Sequence, residues 1–115
     1  MTNKHEVSAE QQQIIRGMLH IAVLAELEDG KKYGAELLIA LSKTPFTSKV
    51  GTLYPLLSRM EKDGLLSADW FVSEGQTPRK YYRLTARGKE KLQEYRSFLK
   101  HIQTYLGGKS WKSQK

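Results

Sequence analysis

A chain of 115 residues makes one domain with a modest core, which a second subunit burying further apolar surface would help to stabilise. Without cysteine it has no disulfide or thiolate chemistry, which suits a reducing compartment. The net charge is +7, and between Arg79 and Lys115 the only acids are Glu90 and Glu94, a regional bias that favours a polyanionic partner.

Residues 1–10 read as flexible, and Met1 to Gln13 is polar and carries acids, unlike a signal peptide. The longest apolar run, Ile21–Ala25, is far below a membrane span, so a cytoplasmic protein is expected. Gln11 to Leu27 is predicted as the first helix. Ile14, Ile15, Met18, Leu19, Ala22, Val23 and Leu27, widened by Ile21 and Leu24, make a face too broad for one neighbour. One side is expected on the protomer's own core and another, with Ile15 and Leu19, on a second subunit. Gly30 ends this helix. Tyr33 to Ser42 is the second helix, with Leu37, Leu38 and Leu41 inward, and Thr44-Pro45 breaks it. Phe46 plugs the turn, and Thr47 or Ser48 is available to cap the third helix.

Ser48 to Asp63 is that third helix. Val50, Leu53, Leu57 and Met60 recur at helical spacing, while Lys49, Thr52, Tyr54, Arg59 and Lys62 lie off that stripe. Pro55 conflicts with a regular helix, because it lacks an N–H and clashes with the preceding turn. Two starts accommodate it: a Ser48 start distorted around Gly51, which is favoured, or a start capped by Thr52. Gly64 is suited to the left-handed backbone of a helix end. A short amphipathic helix with a basic face suits a DNA major groove.

Leu65 to Val72 alternates as a strand, Lys80 to Thr85 is a second, and the turn-rich segment from Ser73 to Arg79 joins them. Arg79, Lys80 and Arg83 give this hairpin a basic shoulder. Thr85 caps a last helix, Ala86 to Leu106, in which Leu92, Tyr95, Leu99, Ile102 and Leu106 repeat at a and d spacing. Together with the first helix this stripe argues for a homodimer. Residues 107–115 read as a basic flexible tail.

Gly-Thr-Leu-Tyr-Pro-Leu-Leu-Ser-Arg-Met-Glu-Lys-Asp-Gly-Leu-Leu (residues 51–66), then Arg79-Lys80-Tyr81-Tyr82-Arg83-Leu84-Thr85 and Gly88, resembles the PadR family of bacterial transcriptional regulators. So do Arg16-Gly17 and Tyr33-Gly34, and the match runs from about residue 14 to residue 106. The resemblance implies a mainly α fold with a small β-hairpin: a winged helix-turn-helix over residues 1–85 and a dimerisation helix over residues 86–106. It also implies double-stranded DNA as partner, usually repression, and often a small-molecule effector. On the matching positions, Ser48, Lys49, Thr52 and Tyr54 are groove-side candidates. Tyr33 and Arg59 are phosphate candidates, and Thr77, Arg79 and Lys80 are wing candidates. One branch of the family sandwiches flat ligands between aromatic side chains of the last helix. That helix has no Trp here, with Leu99 near the position concerned, so His20, Tyr95, Phe98 and Ile102 are the candidates for an inter-subunit cavity.

His5, His20 and His101 are scattered, which argues against a zinc site, and no glycine-rich phosphate loop or activated nucleophile appears. No enzyme activity, metal or cofactor is expected. Two other functions fit the same residues. One is a sequence-tolerant architectural DNA binder, distinguished by a small ratio of specific to random affinity. The other is a protein-interaction module for an acidic partner, distinguished by failure to bind any duplex.

Overall fold

The computed structural model describes residues 7–108. In chain order the elements are α1 (Ala9–Glu26), β1 (Lys32–Tyr33), α2 (Gly34–Ser42), α3 (Val50–Lys62), β2 (Leu66–Phe71), β3 (Arg79–Leu84) and α4 (Ala86–Leu106). This is a winged helix-turn-helix with a long last helix.

Helix α1 begins earlier than its apolar pattern, because Ser8 and Gln11 cap it reciprocally. The Ser8 hydroxyl accepts from the Gln11 N–H at 3.1 Å, and the Gln11 amide oxygen accepts from the Ser8 N–H at 3.0 Å. Ala9 and Glu10, expected to be flexible, are therefore helical. The basic tail from residue 109 onward lies outside the described residues.

The sheet has three strands where the sequence indicated two. Tyr33, expected inside the second helix, instead lies in the two-residue β1, which pairs antiparallel with β3. Strand β3 takes the centre, with order β1-β3-β2. Across β2 and β3, Leu66 faces Leu84 and Trp70 faces Lys80. Two residues are too few to show period-two alternation, so β1 left no pattern to read.

The core is built of leucines: Leu24 from α1, Leu37 and Leu41 from α2, Leu53 and Leu57 from α3, Leu66 from β2 and Leu92 from α4. Leu19 and Leu92, expected between subunits, are buried at 8% and 1% exposure within the protomer itself. They have little surface left to offer a partner. Val50, expected inward, is half exposed, because the first turn of α3 projects beyond the core. Pro55 sits inside α3. It omits only the N–H that would reach the Gly51 carbonyl, and both residues are exposed, so water can serve that carbonyl.

Thr85 and Gly88 fasten α4 to the sheet. The Thr85 hydroxyl donates to the Gly64 carbonyl at 2.7 Å and accepts from the Gly88 N–H at 2.9 Å, capping the helix as expected. Gly64 has φ of +80°, the left-handed backbone expected there. A Cβ on Gly88 would overlap the Leu65 carbonyl oxygen, so only glycine permits this approach.

Candidate nucleic-acid interface

Helix α3 turns Leu53, Leu57 and Met60 into the core and leaves Lys49, Thr52, Tyr54, Arg59 and Lys62 exposed around it. Its first turn is open. Lys49 is the N-cap with extended backbone and no side-chain hydrogen bond. The expected cap at Thr47 or Ser48 is therefore absent, and the Ser48 hydroxyl is buried without a partner. The start at Val50 also differs from both expected starts. It falls two residues after Ser48, and Thr52 is inside the helix rather than capping it.

Five of the candidate residues come together on one flank of α3. Tyr33, Tyr54, Thr77, Arg79 and Lys80 line a cleft of about 440 Å³ between the start of α2, α3 and the wing. Tyr54 lies against the bare backbone of Gly34, where a Cβ would come within 2.9 Å of its ring. The Arg79 guanidinium stacks 4.7 Å from the Tyr33 ring centroid. Tyr33 in turn meets Tyr81 edge-on at 5.3 Å, so the cation rests on a braced aromatic surface.

Lys80 differs from Arg79. Its ammonium contacts the Glu61 carboxylate at 2.9 Å, linking the wing to α3. It also lies 5.4 Å from the Tyr82 ring and 6.0 Å from the Trp70 ring. The Glu61 hydrogen bond is the main reason its pKa rises above the usual lysine value. Arg79, exposed at the end of the strand, is the freer of the two to meet a phosphate.

The other candidates are dispersed. Thr52 and Arg59 line a second cleft, between α3, α1 and α4, and Ser48 and Lys49 stand at the start of α3 and line neither. His20 and Tyr95 meet edge-on at 5.1 Å in the second cleft, which Phe98 and Ile102 do not line. Burial lowers the His20 pKa below its usual value. Sequence reasoning missed Trp70, Phe71 and Val72, all more than half exposed along the wing. Their signal was present, since three consecutive apolar residues at a strand end cannot all face a core.

No group of three His, Cys, Asp or Glu among the described residues is placed to hold a metal ion. No helix among them is long and apolar enough to cross a membrane.

Residues 23–94 match the family described as "Transcriptional regulator PadR-like family". Transcriptional regulator Rv3488 of Mycobacterium tuberculosis is 36% identical over 96 residues, covering 83% of this chain and 89% of that protein. A PadR family transcriptional regulator from Eggerthella lenta superposes with a TM-score of 0.80 at 33% identity, covering 86% of this chain and 87% of that one. A PadR-like transcriptional regulator from Bacillus cereus gives 0.73 at 32% identity, covering 83% and 93%.

Proposed function

Because the chain belongs to the PadR-like family of DNA-binding transcriptional regulators, we propose that it acts as a homodimeric repressor, working in the cytoplasm and released by a small-molecule effector. The observation that carries the DNA-facing part is the two-sided character of α3. Its inner side is buried leucine and methionine, and its outer side is Lys49, Thr52, Tyr54 and Arg59. In this reading α3 enters the major groove, with Lys49, Thr52 and Tyr54 towards base edges, while the Ser48 hydroxyl, buried within the protomer, does not reach them. Tyr33 and Arg59 meet phosphates, and the wing leans on the backbone through Thr77 and Arg79. Lys80 positions the wing through Glu61 and contributes less charge to the DNA.

The dimer reading is supported by apolar surface on the outer helices. Ile14 is 65% exposed, and Phe98 and Leu106 are 53% and 75% exposed. Ile15, Leu99 and Ile102 are half-buried beside them. Joining two copies over this surface would give α3 a two-fold-related mate and the operator two inverted half-sites about 10 base pairs apart.

Selection of bound duplexes from a random pool, with the gene's own upstream region included, tests the reading. Enrichment of an inverted repeat that Leu99→Asp no longer binds, with that variant sedimenting as a monomer, is expected. A stable Leu99→Asp dimer would sink the dimer assignment, and enrichment of no sequence would sink the specific regulator. On the selected site, Arg79→Ala should lower the slope of log affinity against log salt by about 0.9, and Lys80→Ala by less.

A further inference from the structure

Strand β2 is an edge. In the order β1-β3-β2 it pairs with β3, and among the described residues no other strand covers its far side. The Thr85 N–H donates to the Leu65 carbonyl at 3.2 Å, which fixes the phase of the ladder. Leu66 faces Leu84, so Leu65 faces Thr85 as a hydrogen-bonded pair. Alternation then turns the backbone groups of Ser67, Asp69 and Phe71 to β3 and those of Leu66, Ala68 and Trp70 outwards. Towards the tip of the wing, that open edge is flanked by Trp70, Phe71 and Val72, each more than half exposed.

Open edges are commonly guarded by lysine, by proline or by a charge that an incoming strand would have to bury. From Leu66 to Val72 there is no lysine and no proline. The one charge, Asp69, is held by Arg83 at 3.4 Å on its own sheet. Arg79 and Lys80 belong to β3, across β2 from the open edge. The aromatic side chains at the edge are held in place. Phe71 meets Tyr81 edge-on at 6.3 Å, and the Lys80 ammonium stands 6.0 Å from the Trp70 ring.

We propose that this edge pairs with the same edge of a second copy, antiparallel about a two-fold axis at Phe71. In that register Phe71 lies against the partner's Phe71 and Trp70 against the partner's Val72, so each apolar residue meets another. Moving the axis to Trp70 would set Asp69 against the partner's Phe71, so the side chains specify the register. Three side chains from each copy fall short of the roughly 800 Å² per partner of a stable interface. The contact therefore joins copies already held side by side, as on neighbouring operator sites, and that role rests on the DNA-binding reading. The surface proposed for the homodimer is on α1 and α4, so one chain can make both contacts, and dimers joined edge to edge extend along the duplex.

The test is binding of the full chain to duplexes carrying one selected site or two, with the spacing stepped by single base pairs over two turns, about 20 base pairs. At one helical phase the second site should fill at least about fivefold more tightly than the first. Half a turn more, about 5 base pairs, should remove that gain. Phe71→Thr and Val72→Pro should each cut it below about twofold and leave single-site affinity within about threefold. Neither changes the charge. Val72 lies past the end of β2, so proline there removes an outward N–H and spares the ladder to β3. Thermal unfolding checks that the variants fold, and Val72→Pro alone carries the test if Phe71→Thr loosens the wing. Without DNA, sedimentation at about 1 mM should show weak association beyond the dilute state, which Val72→Pro abolishes.

Absence of a gain at every spacing overturns the proposal, and so does a gain that both variants retain. Equal loss of affinity on one-site and two-site duplexes also overturns it, since the apolar residues then face DNA. A chain that binds no duplex but associates through Val72 supports the edge contact and sinks the DNA reading instead. A chain that neither binds a duplex nor associates overturns both.

Discussion

Helices α3 and α4 both begin after an extended residue, but their first turns are held differently. At α4, Thr85 contributes a cap, a hydroxyl bond into the Gly64 carbonyl and a backbone bond to Leu65, and Gly88 lets the helix touch the strand backbone. At α3, Lys49 makes no side-chain cap, the Ser48 hydroxyl is buried without a partner, and Val50 is half exposed. Polar groups at one start are used by the fold. At the other they are left over, at the point where the side proposed to face DNA begins. An uncapped helix start retains N–H groups and a positive dipole end that suit a phosphate.

The largest test of this contrast is Gly88→Ala. Alanine normally favours a helix, but here its methyl meets a backbone oxygen that no rotamer change can move aside. A loss of roughly 2–4 kcal/mol is expected in urea unfolding. A stabilised variant would mean that α4 is not seated against Leu65. Thr85→Ala comes next, with an expected loss of about 1–2 kcal/mol for the cap.

At the open start the sign should reverse. Lys49→Ser supplies the missing cap and should stabilise the protein by about 0.5–1 kcal/mol, while removing a charge weakens duplex binding. Should Lys49→Ser leave stability unchanged, the start of α3 is already satisfied and the two helix starts do not differ in this way.

The start of α4 was legible in the sequence because one residue, Thr85, does the capping locally, and its apolar stripe then runs unbroken to Leu106. The start of α3 was not, because Thr47 and Ser48 look like caps and Lys49 does not, and only packing decides which one sits at the break. Val50 fits the stripe by spacing, yet the core ends at Leu53. The strand β1 and the Lys80–Glu61 pair depend on residues far apart in the chain. The second cleft draws on three helices whose mutual placement no local pattern encodes.

The smallest expected effect concerns His20. Its pKa is lowered in the folded state, so the unfolded chain takes up more protons as acidity rises. The neutral ring's contribution is therefore complete above the ordinary value of 6.5 and is lost as the pH falls below it. His20→Phe, which retains an aromatic edge for Tyr95, should flatten the dependence of Tm on pH in that window. An unchanged pH profile would show that His20 is solvated in both states.

The Lys80–Glu61 contact ties the wing, proposed to lean on the DNA backbone, to α3, proposed to enter the groove. Bound rigidly to each other, these two parts act as a caliper with a fixed opening. One inserted base pair displaces the backbone by about 3.4 Å along the duplex axis, and a fixed opening cannot accommodate it. Each half-site should therefore be intolerant of length changes within itself, and cutting the strap with Glu61→Gln should relax that intolerance before it alters which bases are preferred.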